Sequence, residues 1–191
     1  MIIAANTSSL HVLEFSSSIA AGTLPQKVRC RPLPDKPLDD CFPIVAAQVA
    51  AKDGQQIFGW AVWELPGVFI EAEFHSVWES PEGELVDIVP RLRPFTEIAF
   101  VLDANRRYEN RQVDNIRKQL VIDNDVKRFL FLRQRRFTIL NAGERALQHA
   151  LILPKADMRE LDRTLTPPKR KSPSRLNFSF LGCAATGYKP G

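Results

Sequence analysis

The stretch 68–89 constrains the fold of this 191-residue chain most tightly. Even positions on its first half are Val68, Ile70, Ala72, Phe74, Ser76 and Trp78, apolar or small, while odd positions carry Glu71, Glu73 and His75. A period of two means a strand with one buried face and one open face. The turn Ser80-Pro81-Glu82-Gly83 suits a type I turn with Pro at its second position and Gly in the left-handed conformation. A three-residue loop with a glycine bulge pairs Ser80 with Glu84. Trp78 then faces Val86 and Ser76 faces Ile88, so the apolar face continues onto a second strand, Glu84 to Val89. In that register His75 and Asp87 are diagonal neighbours on the open face, roughly 7–8 Å apart at Cα. A slip of one residue would turn the apolar face to water. Glu71, Glu73, His75 and Asp87 share the open face, but one His without a familiar ligand spacing makes a metal centre the lesser reading. No metal or cofactor is expected.

Around the hairpin, further elements are legible. Leu10 to Phe15 reads as a strand, followed by a connector rich in proline, Pro32-Leu33-Pro34-Asp35-Lys36-Pro37. A helix from Cys41 to Lys52 has Asp39 or Asp40 as its cap, Pro43 in its first turn and Gly54 as its stop. Ile57 to Glu64 and Ile98 to Leu102 read as strands. Val113, Ile116, Leu120 and Val121 have helical spacing, with Arg111 and Asp114 at the head of that helix. Val126 to Ala150 reads as a longer helix with an apolar run at Phe129–Leu132 and arginines at 133, 135 and 136. A solvated face that covers core edges explains such a helix better than a docking surface does.

Cys41 stands at the start of its helix. The N–H groups and dipole of a helix N-terminus favour a thiolate there, against which stands the possibility of a small buried side chain beside Phe42, Ile44 and Val45. Cys30 and Cys183 have no such setting. Three cysteines without a C-x-x-C pair indicate neither a disulfide framework nor a zinc ribbon.

Charge divides unevenly. The chain carries a net +4, but Pro167 to Gly191 holds five basic residues and no acidic ones, leaving 21 basic against 22 acidic before it. The basicity therefore belongs to the tail. Nucleic-acid contact is expected at most weakly, through Lys169-Arg170-Lys171. No apolar run approaches the roughly 20 residues that span a bilayer, and the first residues lack signal-peptide features, so the expectation is a cytoplasmic protein with no membrane partner. The expected organisation is an N-terminal strand and connector over 1–37, an α+β core over 38–165 built on a small antiparallel sheet with flanking helices, and a basic, disordered tail over 166–191.

A Cys at a helix start, a His on one strand and an Asp on the next resembles the papain-like superfamily, which includes the bacterial cell-wall amidases and transglutaminase-like enzymes. The resemblance implies a papain-like core with Cys41 as nucleophile, His75 as general base and acid, and Asp87 orienting the imidazole. Over roughly Leu38 to Glu144, the strings Cys41-Phe42, Gly59-Trp60-Ala61-Val62-Trp63-Glu64, Glu71-Ala72-Glu73-Phe74-His75-Ser76-Val77-Trp78 and Leu85-Val86-Asp87-Ile88 resemble an uncharacterised bacterial family often joined to a zinc-binding SEC-C motif. Tyr108 to Asn115 looks like part of its signature. The motif itself is missing, since only Cys183 lies near the C-terminus, and Ile44 stands where that family is often polar.

These readings lead to a cysteine-dependent hydrolase or acyltransferase acting on an amide or thioester substrate. Cys41, His75 and Asp87 would do the chemistry. Trp60, Trp63, Trp78 and Glu73 would wall the substrate cleft. The alternative is a non-catalytic module that binds a protein partner through the polar hairpin face or the Arg-rich helix.

Overall fold

The computed structural model describes residues 1–143, 145 and 154–165. Among these residues, seven strands form one sheet: β1 (Ile3–Ala4), β2 (Gln26–Cys30), β3 (Gln55–Leu65), β4 (Phe69–Glu79), β5 (Leu85–Asp87), β6 (Glu97–Leu102) and β7 (Ile116–Gln119). Four helices accompany it: α1 (Leu10–Ile19), α2 (Cys41–Lys52), α3 (Asn124–Leu140) and α4 (Lys155–Leu165). The strand order is β1-β3-β6-β2-β5-β4-β7, and the pairing of β3 with β4 closes five of the strands into a barrel. The fold is α+β. No helix among the described residues is long and apolar enough to cross a membrane.

The hairpin follows its turn chemistry. Ser80 donates its N–H to Glu84 O at 2.9 Å, Gly83 N donates to Ser80 O at 2.8 Å, and Gly83 takes φ +83°. Trp78 pairs with Val86. The two faces of β4 have different surroundings from those that alternation alone suggests. Ile70, Ala72 and Phe74 pack outward with Trp60 and Val62 of β3 under Val12 and Phe15 of α1. The other face is not open to water. Glu71, Glu73, His75 and Val77 point into the barrel with Ala61, Trp63, Val28, Ile98 and Phe100, and all four are buried.

Three elements depart from expectation. Leu10–Phe15 belongs to α1, because Val12, Phe15 and Ser16 recur at helical spacing and bury one stripe against the sheet. The segment with Ile116 is strand β7, which pairs Ile116–Gln119 with Phe69–Ala72 along a free edge of β4; edge pairing outweighs the helical spacing. The helix expected from Val126 to Ala150 begins at Asn124, capped by Asp123 Oδ1 on the N–H groups of Asp125 and Val126, and ends at Leu140. Residues 1–30 are woven into the fold, since β2 lies between β5 and β6 and runs parallel to β5. The tail from 166 onward, with Cys183, lies outside the described residues.

Candidate active site

The barrel wall has a gap at His75. On one side of β4 the ladder with β3 is continuous from Phe69 to Glu79. On the other, β7 pairs only with Phe69–Ala72 and β5 only with Trp78 and Glu79. Residues 73–77 therefore have no second strand neighbour among the described residues. The N-terminal end of α2 lies over this gap. Gln56 Nε2 ties it down by donating to Phe42 O at 3.0 Å and to Ser76 Oγ at 3.1 Å. Cys41, Ile44 and Val45 pack on Val86, Ile88 and Val89 of the hairpin's second arm. Pro43 suits the first turn, where its missing N–H costs nothing.

Cys41 is the first residue of α2 and lines a cleft with Asp39, Asp40, Phe42, Glu73, Phe74, Tyr108, Gln112, Val113 and Asn115. It is 6% exposed, so the thiol lies at the cleft floor. Asp40 takes the cap position without bonding its side chain into the helix. Tyr108 stacks face to face on Phe42, with ring centroids 3.9 Å apart, and forms one wall. Its phenol is held above the usual range by burial, then by the negative charge of Asp40 and Cys41.

Beneath the cleft, His75 is 1% exposed and its Nε2 lies 3.2 Å from Asp87 Oδ1. Burial disfavours the imidazolium. The Cys41 sulfur against the ring and the Asp87 carboxylate outweigh that penalty and hold His75 up at about 10, from an ordinary 6.5. Nδ1 is buried and completes no hydrogen bond among the described residues, and catalytic hydrogen bonds often tighten only when a ligand is bound. Asp87 is fully buried; burial alone would raise its carboxyl, but His75 and Arg91 bring it down to about 2. Oδ1 also accepts from Val89 N at 3.2 Å, and Oδ2 accepts from Arg91 Nη1.

The structure thus gathers Cys41, His75 and Asp87 in one place. Glu73 also lines the cleft, and it accepts the indole N–H of Trp63 at 2.8 Å. The tryptophans expected in the cleft wall are elsewhere. Trp60 is in the core under α1 with its N–H on Asp103, Trp63 is inside the barrel, and Trp78 donates to Asp53 O on the flank of α2. Each fills volume or satisfies a turn. Glu71 faces the barrel but pairs with Arg117 at 3.1 Å and Asn115 at 3.2 Å, and Asp114 braces the same arginine. Among the described residues no group of His, Cys, Asp and Glu is arranged to hold a metal ion. On α3, exposed Arg135 pairs with Glu160 of α4, while burial lowers Arg133 and Arg136.

Arg91 carried no signal in the sequence. The Asp87 side chain turns back onto Val89 N–H, and this turn brings the arginine two residues further on over the ring of Trp63, 5.4 Å from its centroid. Tyr108, Gln112 and Asn115 fall within a string already singled out, though their place in the cleft depends on the loop between β6 and β7. No protein-family model matches the chain, and neither the curated proteins nor the solved structures contain a match to it.

Proposed function

We propose that the protein is a cysteine-dependent hydrolase or acyltransferase acting on an amide or thioester, with an arrangement of the papain-like kind. The observation that carries this reading is His75, buried between the thiol of Cys41 and the carboxylate of Asp87 at a break in the barrel wall. Burial of a histidine without such partners would disfavour its proton; here Cys41 and Asp87 favour it instead.

In the first step Cys41 gives its proton to Nδ1 of His75, its sulfur attacks the acyl carbon, and the carbonyl electrons move onto oxygen. The backbone N–H of Cys41, at the positive end of α2, takes the oxyanion. When the carbonyl re-forms, the bond to the amine or thiol leaving group breaks, and Nδ1 of His75 gives that group its proton. The neutral imidazole keeps its other proton on Nε2, held by Asp87. Water, or an acceptor amine, then gives a proton to Nδ1 as it attacks the thioester, and Cys41 leaves as thiolate. Hydrolysis and transfer differ only in the second acceptor.

A module that docks a protein through the polar hairpin face is poorly served by this fold, because that face lies inside the barrel. The test is to incubate the protein with a panel of acyl thioesters and activated amides and to read intact mass. The expected result is acyl adduct on Cys41, absent in Cys41→Ala and strongly reduced in His75→Gln. Adduct that persists in Cys41→Ala, or none with any acyl donor, would overturn the proposal.

A further inference from the structure

His75 Nε2 has two neighbours, not one. Asp87 Oδ1 and Arg91 Nη2 each lie 3.2 Å from it. The guanidinium is fixed from several sides: Nη1 donates to Asp87 Oδ2 and reaches Val89 O at 3.5 Å, and the Trp63 ring lies beneath the plane. Its side chain is 10% exposed and that of Asp87 is wholly buried, so neither group can swing away into water. A planar fork of N–H donors suits this double task; an ammonium would not reach both atoms at once.

A ring nitrogen with a proton donates and a bare one accepts. Asp87 can only accept from Nε2 and Arg91 can only donate to it. The two contacts are therefore alternatives that correspond to the two neutral forms of the ring. With the proton on Nε2, Asp87 holds it and Nδ1 presents a lone pair to Cys41. With Nε2 bare, Arg91 holds it and Nδ1 carries the proton.

We propose that Arg91 is a positioning residue of the Cys41–His75–Asp87 group, sharing His75 Nε2 with Asp87 so that the neutral imidazole is supported with its proton on either nitrogen. The inference rests on the reading of His75 as the proton carrier. Its consequence is a histidine that returns from acid to base without losing its anchor. A second consequence is electrostatic. Because Asp87 is divided between two cations, the imidazolium is held less firmly than Asp87 alone would hold it.

The test reads the imidazole directly. In the Cys41→Ser protein, ¹⁵N and ¹H shifts of His75 are followed through its titration, with Arg91 intact, as Arg91→Lys and as Arg91→Met. The expected result is a neutral form with both tautomers populated when Arg91 is intact. Both variants shift it to the Nε2–H form, and the His75 midpoint rises by about one unit in Arg91→Met. Arg91→Lys retains a charge beside Asp87 and serves where Arg91→Met folds poorly. A purely Nε2–H ring with Arg91 intact, or a tautomer ratio unchanged in Arg91→Lys, would overturn the proposal. No turnover is needed, so a failure of acyl transfer and a failure of this inference are separately visible. In the active chain, Arg91→Lys should narrow the pH profile of the second step more than it lowers the first.

Discussion

Gly59 of β3 lies directly across from His75 of β4, and its missing side chain is what lets β6 close the barrel behind the imidazole. A Cβ there would stand 2.2 Å from Val101 O and 2.6 Å from the Phe100 ring. Both are walls rather than flexible ends, so Gly59→Ala should destabilise by about 1–3 kcal/mol. It should also loosen His75. Thermal unfolding and the NMR line of the His75 ring test this together; an unchanged Tm would mean the barrel gives at that point.

The buried pair predicts a characteristic dependence of stability on pH. His75 is raised, so its contribution is complete below its unfolded value of about 6.5 and disappears as pH climbs through about 10. Asp87 is lowered, so its contribution is complete above its unfolded value near 3.9 and is lost as pH falls through about 2. Stability should therefore be flat between roughly pH 4 and 6.5. Asp87→Asn should lower that plateau by about 3 kcal/mol, since it leaves Arg91 and His75 without their buried anion. Cys41→Ser should shrink the alkaline limb alone. Urea midpoints across pH for the three proteins measure this, and identical profiles would contradict it.

Elsewhere in the barrel, Glu71 and Arg117 form an ion pair that is structural, not chemical. Glu71 is 1% exposed and accepts from Arg117 and Asn115. Arg117→Met should cost about 3 kcal/mol by leaving the carboxylate buried with less compensation. Adding Glu71→Leu to it should recover much of that loss, because two apolar groups need no desolvation. Denaturant unfolding of the single and double variants decides the matter, and additive losses would sink it.

The hairpin and α2 were legible because each is specified locally. Ser80-Pro81-Glu82-Gly83 suits one turn, the turn sets one register, and a one-residue slip from it would take Val86 and Ile88 off the apolar side. His75 beside Asp87 follows from it. Barrel closure was not legible. It depends on β2, five residues of mixed character that pair in parallel with a strand some 57 positions away. Without β2 the odd face of β4 looks like a solvent face; with it, Glu71, Glu73 and His75 become interior. Leu10–Phe15 and Ile116–Gln119 are short enough to fit either period, and their packing partners decided between them. Arg91 has no pattern around it, so only the turn after Asp87 shows where it points.

The most direct test of the account follows alkylation of each cysteine by iodoacetamide against pH, in the native protein and in His75→Gln. Cys30 is an internal reference, because burial and the neighbouring Asp87 push its thiol up to about 12 and leave it inert near neutrality. Cys41 should be alkylated well ahead of Cys30 at neutral pH, and His75→Gln should slow Cys41 by about tenfold or more. Equal labelling of the two thiols, or a Cys41 rate indifferent to His75, would contradict it.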